Sequence, residues 1–373
     1  MPAEKKIQVA LIFGGRSVEH EVSLKSALGI IKNIDRKKFK LLPVKINKQG
    51  KWFLFDKVER LKSIEDLEKN PPVQVMMVNT PCPGLICINT GNKNAVTDNT
   101  SVEPVDIVFP VVHGNSGEDG TLQGLLKMLN FPFVGCDVLA SAVAMDKIIA
   151  KQLFFQNNVP SVDFIWFPGT SWKKSSDLIT QGVKKEIGFP CFIKPANSGS
   201  SVGVFKAHGE KEFSSLIDKA CQYDRKILVE KYIQARELEC SVLGNDNPRS
   251  SCIGEIIPSN EFYDYEAKYD DNSTQLIIPA DIAKQTANAI KSLAIKAFKT
   301  LDCSGMARVD FLLENKTNNL YVNEINSIPG FTPISMYPKL WKESGISYSE
   351  LITRLIELAK KRHNELKNLK YYR

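Results

Sequence analysis

The chain predicts an α/β fold that passes into α+β architecture, and three observations carry that reading. Up to about residue 135, apolar strand-like runs alternate with helical periodicity, the pattern of a doubly wound parallel sheet covered on both faces. After Gly135, strand-like pieces follow one another across short turns, the pattern of antiparallel sheet with helices set to one side. Near residue 310, two strands place charged side chains where a buried sheet would be apolar.

In chain order, IQVALIF is a short apolar strand ending in Gly14-Gly15, and VEHEVSLKSALGIIKNI is a helix with Val22, Ala27, Leu28 and Ile31 on one side. KLLPVKIN and VDIVFPVV are further strands, the latter ending in His113-Gly114 ahead of the helix TLQGLLKMLN. Ligands of such units bind at the carboxyl ends of the strands, where Gly14–Glu21 and His113–Gly120 both lie. Residues 71–104, rich in Pro, Asn, Gly and Thr, read as an irregular excursion. ASAVAMDKIIAKQLFFQNN reads as one amphipathic helix. A strand, a helix and FPCFIKP follow, with a new strand beginning at Val202. KILVEKYI, ELECSVLG and SCIGEIIP are strands, and TANAIKSLAIKAFKTL and SYSELITRLIELAKKRH are helices.

Between those two helices lie the strands Met306–Leu313 and Leu320–Ile325. Side chains alternate along a strand, so Arg308 and Asp310 share one face, opposite Val309, Phe311 and Leu313. If Asn315–Asn319 is the hairpin connection, Asp310 pairs with Glu324 and Arg308 with Asn326. Two carboxylates, an amide and a guanidinium then cluster, as a divalent cation site or as a solvated, salt-bridged sheet face.

The net charge of +7 is modest and the lysines are scattered; the one dense basic run, at the C-terminus, reads as a solvated helix end rather than a nucleic-acid patch, and no recognisable nucleic-acid module accompanies it. Eight dispersed cysteines without a CxxC pair fit a reduced cytoplasmic setting, and no segment reaches the length of a membrane span. The loop KPANSGSSVG, with Lys194, Ser200 and Ser201, suits close approach to phosphate oxygens but lacks the Walker GK[ST] signature. An ordinary hairpin is the other reading. VEKYIQARELE suits a purine edge and ribose hydroxyls, with Glu237 as the acid, or a plain edge strand. FYDYEAKY suits a lid whose Lys268 reaches phosphate, or a surface loop packed by its own tyrosines. Neither GGRSVEHE nor HGNSGEDG fits the dinucleotide GxGxxG fingerprint.

Taken together, FGGRSVEHEVSL, HGNSGEDGTLQG, AMDK, KPANSGSSVGV, VEKYI, FYDYEAKY, RVDFLLE and NEINSIPGFTPISMYP resemble, in order, the bacterial D-alanine–D-alanine ligases of the ATP-grasp superfamily. The resemblance implies an N-terminal Rossmann-like domain (1–135) and two ATP-grasp domains (136–230 and 231–373) gripping ATP. It implies phosphorylation of one D-alanine carboxylate and attack by the amine of a second, in a cytoplasmic homodimer serving peptidoglycan synthesis. Carried over by motif, Glu19 holds the first substrate's ammonium, linked to Ser200 and Tyr269, and His113 lies near its carboxylate. Arg308 and the Gly330 N–H stabilise the oxyanion, while Lys268 and Ser335, followed by Met336 where some members have leucine, meet the second substrate. ATP falls to Lys147, Lys194, Ser200, Ser201 and Lys268, to the hinge Glu230, Lys231, Tyr232 and Ile233, and to Glu237. Two Mg2+ ions, replaceable by Mn2+, fall to Asp310, Glu324 and Asn326.

Overall fold

Strands β1 (Ile7–Gly14), β2 (Phe39–Ile46), β3 (Trp52–Leu54), β4 (Val73–Val78), β5 (Gly84–Ile88), β6 (Val102–Pro104) and β7 (Ile107–Pro110) form one sheet, in the order β6-β5-β4-β3-β2-β1-β7. They belong to a computed structural model that describes residues 5–71, 73–88, 102–257 and 275–370. Only β2, β1 and β7 are parallel; β3 to β6 add antiparallel strands, so the sheet is mixed. The irregular excursion expected from residue 71 therefore contains three strands, β4, β5 and β6, which extend the sheet by hairpins. Each strand is short and weakly alternating, and β5 begins at a glycine and β6 ends at a proline, so none stands out from the Pro, Gly and Asn around it in the sequence.

Alternation along β1 shows why this sheet is covered twice. Val9, Leu11 and Phe13 point to one face, packed on Leu24, Ala27 and Ile30 of helix α1 (His20–Asn33). Ala10 and Ile12 point to the other. With helix α2 (Ile64–Glu68) at the rim, α3 (Thr121–Met128) covers that second face through Leu122 and Leu126. The strands' carboxyl ends are left open, and β1 and β7 deliver the loops of Glu19 and His113 there.

The expected helix over 140–158 is two helices, α4 (Val138–Met145) and α5 (Lys147–Gln156). Asp146 breaks it, because its carboxylate accepts hydrogen bonds from the Ile148 and Ile149 N–H groups and so caps a new helix. The break turns Lys147 toward the phosphate loop. A second sheet joins β8 (Phe164–Pro168), β9 (Cys191–Pro195), β10 (Phe205–Ala207) and β11 (Lys226–Lys231), in the order β10-β9-β11-β8. Helices α6 (Gly169–Glu186) and α7 (Glu210–Ala220) cover it. The strand expected from Val202 begins only at Phe205, since Ser200, Ser201 and Gly203 have positive φ and cannot extend the ladder.

The third sheet is antiparallel, with β12 (Ala235–Gly244), β13 (Arg249–Ile257), β14 (Gln275–Ile277), β15 (Gly305–Glu314) and β16 (Leu320–Asn326) ordered β14-β13-β12-β15-β16. Helix α8 (Lys284–Thr300) packs on its apolar face through Ile290, Ala294 and Phe298, against Leu238, Val309 and Phe311. Helices α9 (Met336–Glu343) and α10 (Tyr348–Lys367) return the chain to the first sheet, where Trp341, Leu351 and Leu355 join the core of Leu11 and Phe109. Burying each such side chain is worth about 1.5–3 kcal/mol, which fixes the third sheet's charged face against the mouth of the first. Among the described residues, no helix is long and apolar enough to cross a membrane.

Candidate active site

Where the first sheet opens, Glu19 precedes α1 and is 6% exposed. Its carboxylate accepts a hydrogen bond from Ser200 Oγ, 181 residues away. Two glycines permit that approach. A Cβ on Gly114 would lie 2.6 Å from Glu19 Oε2 and one on Gly199 would lie 2.7 Å from it, so a larger residue in either loop would displace the Glu19 carboxylate. Ser200 and Ser201 hold φ of +46° and +59°, a conformation costing non-glycine residues on the order of 1–3 kcal/mol each. That strain presents the Ser200 hydroxyl to Glu19.

His113, beyond β7, is buried with Nδ1 3.1 Å from Glu118 Oε1 and Nε2 2.9 Å from Ser26 Oγ. Burial alone lowers the His113 pKa, but the Glu118 and Glu19 carboxylates outweigh it and hold the imidazole above its ordinary value. Burial, helped by Glu19, also raises the Glu118 pKa. Ser26 accepts the Phe331 N–H at 3.1 Å, so one hydroxyl of α1 ties His113 to the loop that carries Gly330. Tyr348 of α10 donates to the carbonyl of Phe331 and holds that loop from the other side.

The third sheet supplies the floor. Strand β15 pairs with β16 so that Asp310 faces Glu324 and Arg308 faces Asn326, the expected register, with a bulge after Asp310. Across β12, Glu239 faces Asp310 and Ser241 faces Arg308. Glu239, Asp310 and Glu324 thus form a row over three strands, and like charges directly opposite repel. Arg308 offsets this by donating to both Asp310 oxygens at 2.7 Å, with Nε 2.9 Å from Glu239 Oε2. Lys147 Nζ lies 3.5 Å from Glu324 Oε2 and donates to the Ser198 carbonyl at 2.7 Å. Asn326 Nδ2 donates to Asp310 Oδ2 at 3.0 Å. The predicted metal set is two carboxylates and an amide on one face, hard oxygen donors of the kind Mg2+ takes. Among the described residues, no three His, Cys, Asp or Glu side chains converge as a metal nest.

A cavity of about 440 Å³ collects Glu19, His113, Ser200 and Arg308 with Gly330, Ser335 and Met336. Ser335 Oγ accepts the Thr332 N–H at 3.0 Å, and Met336 is buried beside Ile256 and Leu340. A second cavity, about 190 Å³, is lined by Lys194, Ser201 and Asp310, by the run Glu230 to Ile233, and by Glu237. Arg308, Glu324, Ser200 and Lys147 wall both cavities. At the floor of the second, Glu230 is ion-paired with Lys194 and, at 2.7 Å, with Lys151. Burial would raise the Glu230 pKa, yet the two ammonium groups lower it to about 2.

Two family models account for most of the sequence: D-ala D-ala ligase N-terminus over residues 8–136 and D-ala D-ala ligase C-terminus over residues 153–357. The chain belongs to the D-alanine–D-alanine ligase family. A D-alanine–D-alanine ligase of Thermoanaerobacter sp. (strain X514) is 49% identical over 367 residues, spanning 97% of this chain and 98% of that one. Among solved structures, the D-alanine-D-alanine ligase from Coxiella burnetii superposes with a TM-score of 0.81 at 33% identity, covering 97% of each chain. The VanG D-Ala:D-Ser ligase from Enterococcus faecalis gives 0.83 at 34%, over 95% of this chain and all of that one.

Of the residues singled out by the ligase resemblance, Lys268 and Tyr269 lie outside the described residues. The remainder line one or both cavities. Four residues of this ligase site escaped the sequence reading: Ser26, Glu118, Lys151 and Glu239. Glu118 stood inside HGNSGEDG, Glu239 two positions after Glu237 on one strand face, and Lys151 four after Lys147 on one helix face. Nothing local marks Ser26.

Proposed function

We propose that this ligase joins two D-alanine molecules into D-alanyl-D-alanine for peptidoglycan, converting ATP to ADP and phosphate. One observation carries the reading: segments around residues 19, 113, 200, 308 and 330 meet in a single cavity that shares its wall with a lysine-lined one.

Glu19 receives the first D-alanine's ammonium, and the raised imidazole of His113 faces its carboxylate. A carboxylate oxygen attacks the γ-phosphorus of ATP, ADP leaves, and an acyl phosphate forms. Lys147 and Lys194 orient the phosphates as point charges. The second D-alanine, its carboxylate on Ser335, presents a free amine to the acyl carbon. Arg308 and the Gly330 N–H meet the negative charge on the carbonyl oxygen, a preorganised contribution of about 2.7–4 kcal/mol per donor in comparable sites. The tetrahedral adduct collapses with cleavage of the C–O bond to phosphate, and the amine proton goes to the departing phosphate, which leaves as hydrogen phosphate. Asp310, Glu324 and Asn326 would hold Mg2+, as two ions or Mn2+ in its place, which when bound neutralises charge on the transferring phosphoryl group.

The same reading divides the chain at about residues 135 and 230 into three domains, in a cytoplasmic homodimer; the sheet boundaries and the apolar faces of the first sheet support that division. An ATP-dependent phosphate-release assay with D-alanine, L-alanine, D-serine and D-lactate as second substrate tests it. Release is expected with D-alanine in both positions, with dipeptide formed mole for mole. Release driven better by D-serine or D-lactate would overturn the assignment of the second substrate.

A further inference from the structure

Lys151 is buried behind the nucleotide cavity without lining it, its side chain 2% exposed. Its ammonium lies 2.7 Å from Glu230 Oε1, donates to Ser161 Oγ at 2.8 Å and sits 5.9 Å above the Phe164 ring. Glu230 does line the cavity, and its other oxygen is paired with Lys194. Oε1 is buried, and the Lys151 ammonium is the ionic partner it meets. One carboxylate therefore has two lysines of different kinds. Lys194 faces the cavity, where it meets phosphate; Lys151 is enclosed, and Glu230 is its ionic partner.

We propose that Lys151 is a specificity-determining positioning residue of the nucleotide site, the permanent counter-ion that keeps Glu230 an anionic, acceptor-only group facing the exocyclic amine of the purine. The inference rests on the reading of Glu230–Ile233 as the segment that meets the base. Its logic is a matter of donors and acceptors. An ionised carboxylate accepts and cannot donate. An adenine-type base offers an amine at this edge, whereas a hypoxanthine-type base offers a carbonyl oxygen, which would face a buried anion without a hydrogen between them. When Lys194 is drawn toward phosphate, Lys151 alone keeps the proton off Glu230. Burial lowers the Lys151 pKa, and Glu230 works against that shift.

The test compares ATP with inosine triphosphate, which differs at that edge alone, in the full chain with D-alanine. Lys151→Met removes the charge at similar volume, and Lys151→Gln keeps a donor toward Ser161 should the first fail to fold. The expected result is a raised nucleotide KM with a smaller change in kcat, and a preference for ATP over inosine triphosphate narrowed by about tenfold or more. A merely structural role would weaken both nucleotides alike, and an unchanged preference in folded Lys151 variants overturns the proposal. Glu230→Gln, or the charge-balanced pair Lys151→Met with Glu230→Gln, separates the two layers, because an amide can donate to the carbonyl. Narrowed preference there with none in the Lys151 variants refutes the role of Lys151. Unchanged preference in every variant refutes the base-facing reading itself, and the proposal with it.

Discussion

Replacing Arg308 by alanine should injure both stability and catalysis, and Mg2+ should repair only the first. The guanidinium forms two 2.7 Å hydrogen bonds to Asp310 and lies 2.9 Å from Glu239. The three side chains are 19%, 14% and 6% exposed, so the pairings are largely shielded from water. Removing Arg308 takes from two largely buried acids the cation they share, at a cost of about 3–5 kcal/mol. The loss at the developing oxyanion should lower kcat by roughly 10²–10³. A divalent cation on Asp310 and Glu324 can offset the first loss, because anything bound only by the folded chain stabilises it by mass action. It cannot replace a hydrogen-bond donor aimed at the carbonyl oxygen. Thermal unfolding and steady-state kinetics of Arg308→Ala over a Mg2+ series separate the two. The melting temperature should recover as Mg2+ rises, with kcat still depressed. If kcat recovers in parallel, or the defect is confined to KM, Arg308 is only a spacer between acids.

Three further outcomes follow from the same geometry. Glu324→Gln should abolish Mg2+-dependent turnover while leaving the fold intact by circular dichroism; turnover near the wild-type rate contradicts the metal assignment. Ser26→Ala strands the Phe331 N–H and loosens His113, so the urea midpoint should fall by the equivalent of about 1–3 kcal/mol at constant slope, with a raised KM for the first D-alanine; an unmoved midpoint refutes the tie. Glu230 has a folded pKa lowered from 4.5 to about 2, so its stabilisation is complete above pH 4.5 and lost as pH falls through about 2; circular dichroism showing Glu230→Gln as acid-sensitive as the native chain across that window would contradict this.

How much of this was legible in the sequence depends on how local each contact is. Strand alternation put Arg308 and Asp310 on one face, but the five-residue connection Asn315–Asn319 does not set their register: next to the turn Leu313 faces Leu320, one position off that count, and the bulge after Asp310, which no local signal marks, restores the pairing of Asp310 with Glu324. The covered parallel strands could be read because their apolar runs do not alternate. Glu239 could not be placed, since β12 pairs with β15 across some seventy residues and nothing near ELEC names its neighbour. Asp146 was hidden by the helical periodicity around it, because a cap is decided by one dihedral rather than by a pattern. In β4 to β6, turn residues outweighed short strands whose pairing with each other supplies their order. Ser26 is a small polar residue on a buried helix face, ordinary until Phe331 arrives 305 positions later.

The charged face that departs from an apolar sheet therefore has an internal logic. Placing Glu239, Asp310 and Glu324 in one row across three strands is unfavourable on its own, since opposed like charges repel. Arg308 lies against Asp310 and Glu239, and Lys147 stands 3.5 Å from Glu324, so the row gathers its acids on one sheet face with cations set beside them. The adjoining wall gathers lysines, with Lys194 and Lys151 on Glu230 and Lys231 beside it, and it carries the acid Glu237 as well. A polyphosphate approaching with Mg2+ needs both signs within a few ångströms, positive for its oxygens and negative for its metal. An acidic row beside a lysine-bearing wall, more than the presence of any one acid, is what supports reading this face as the floor proposed for the nucleotide site.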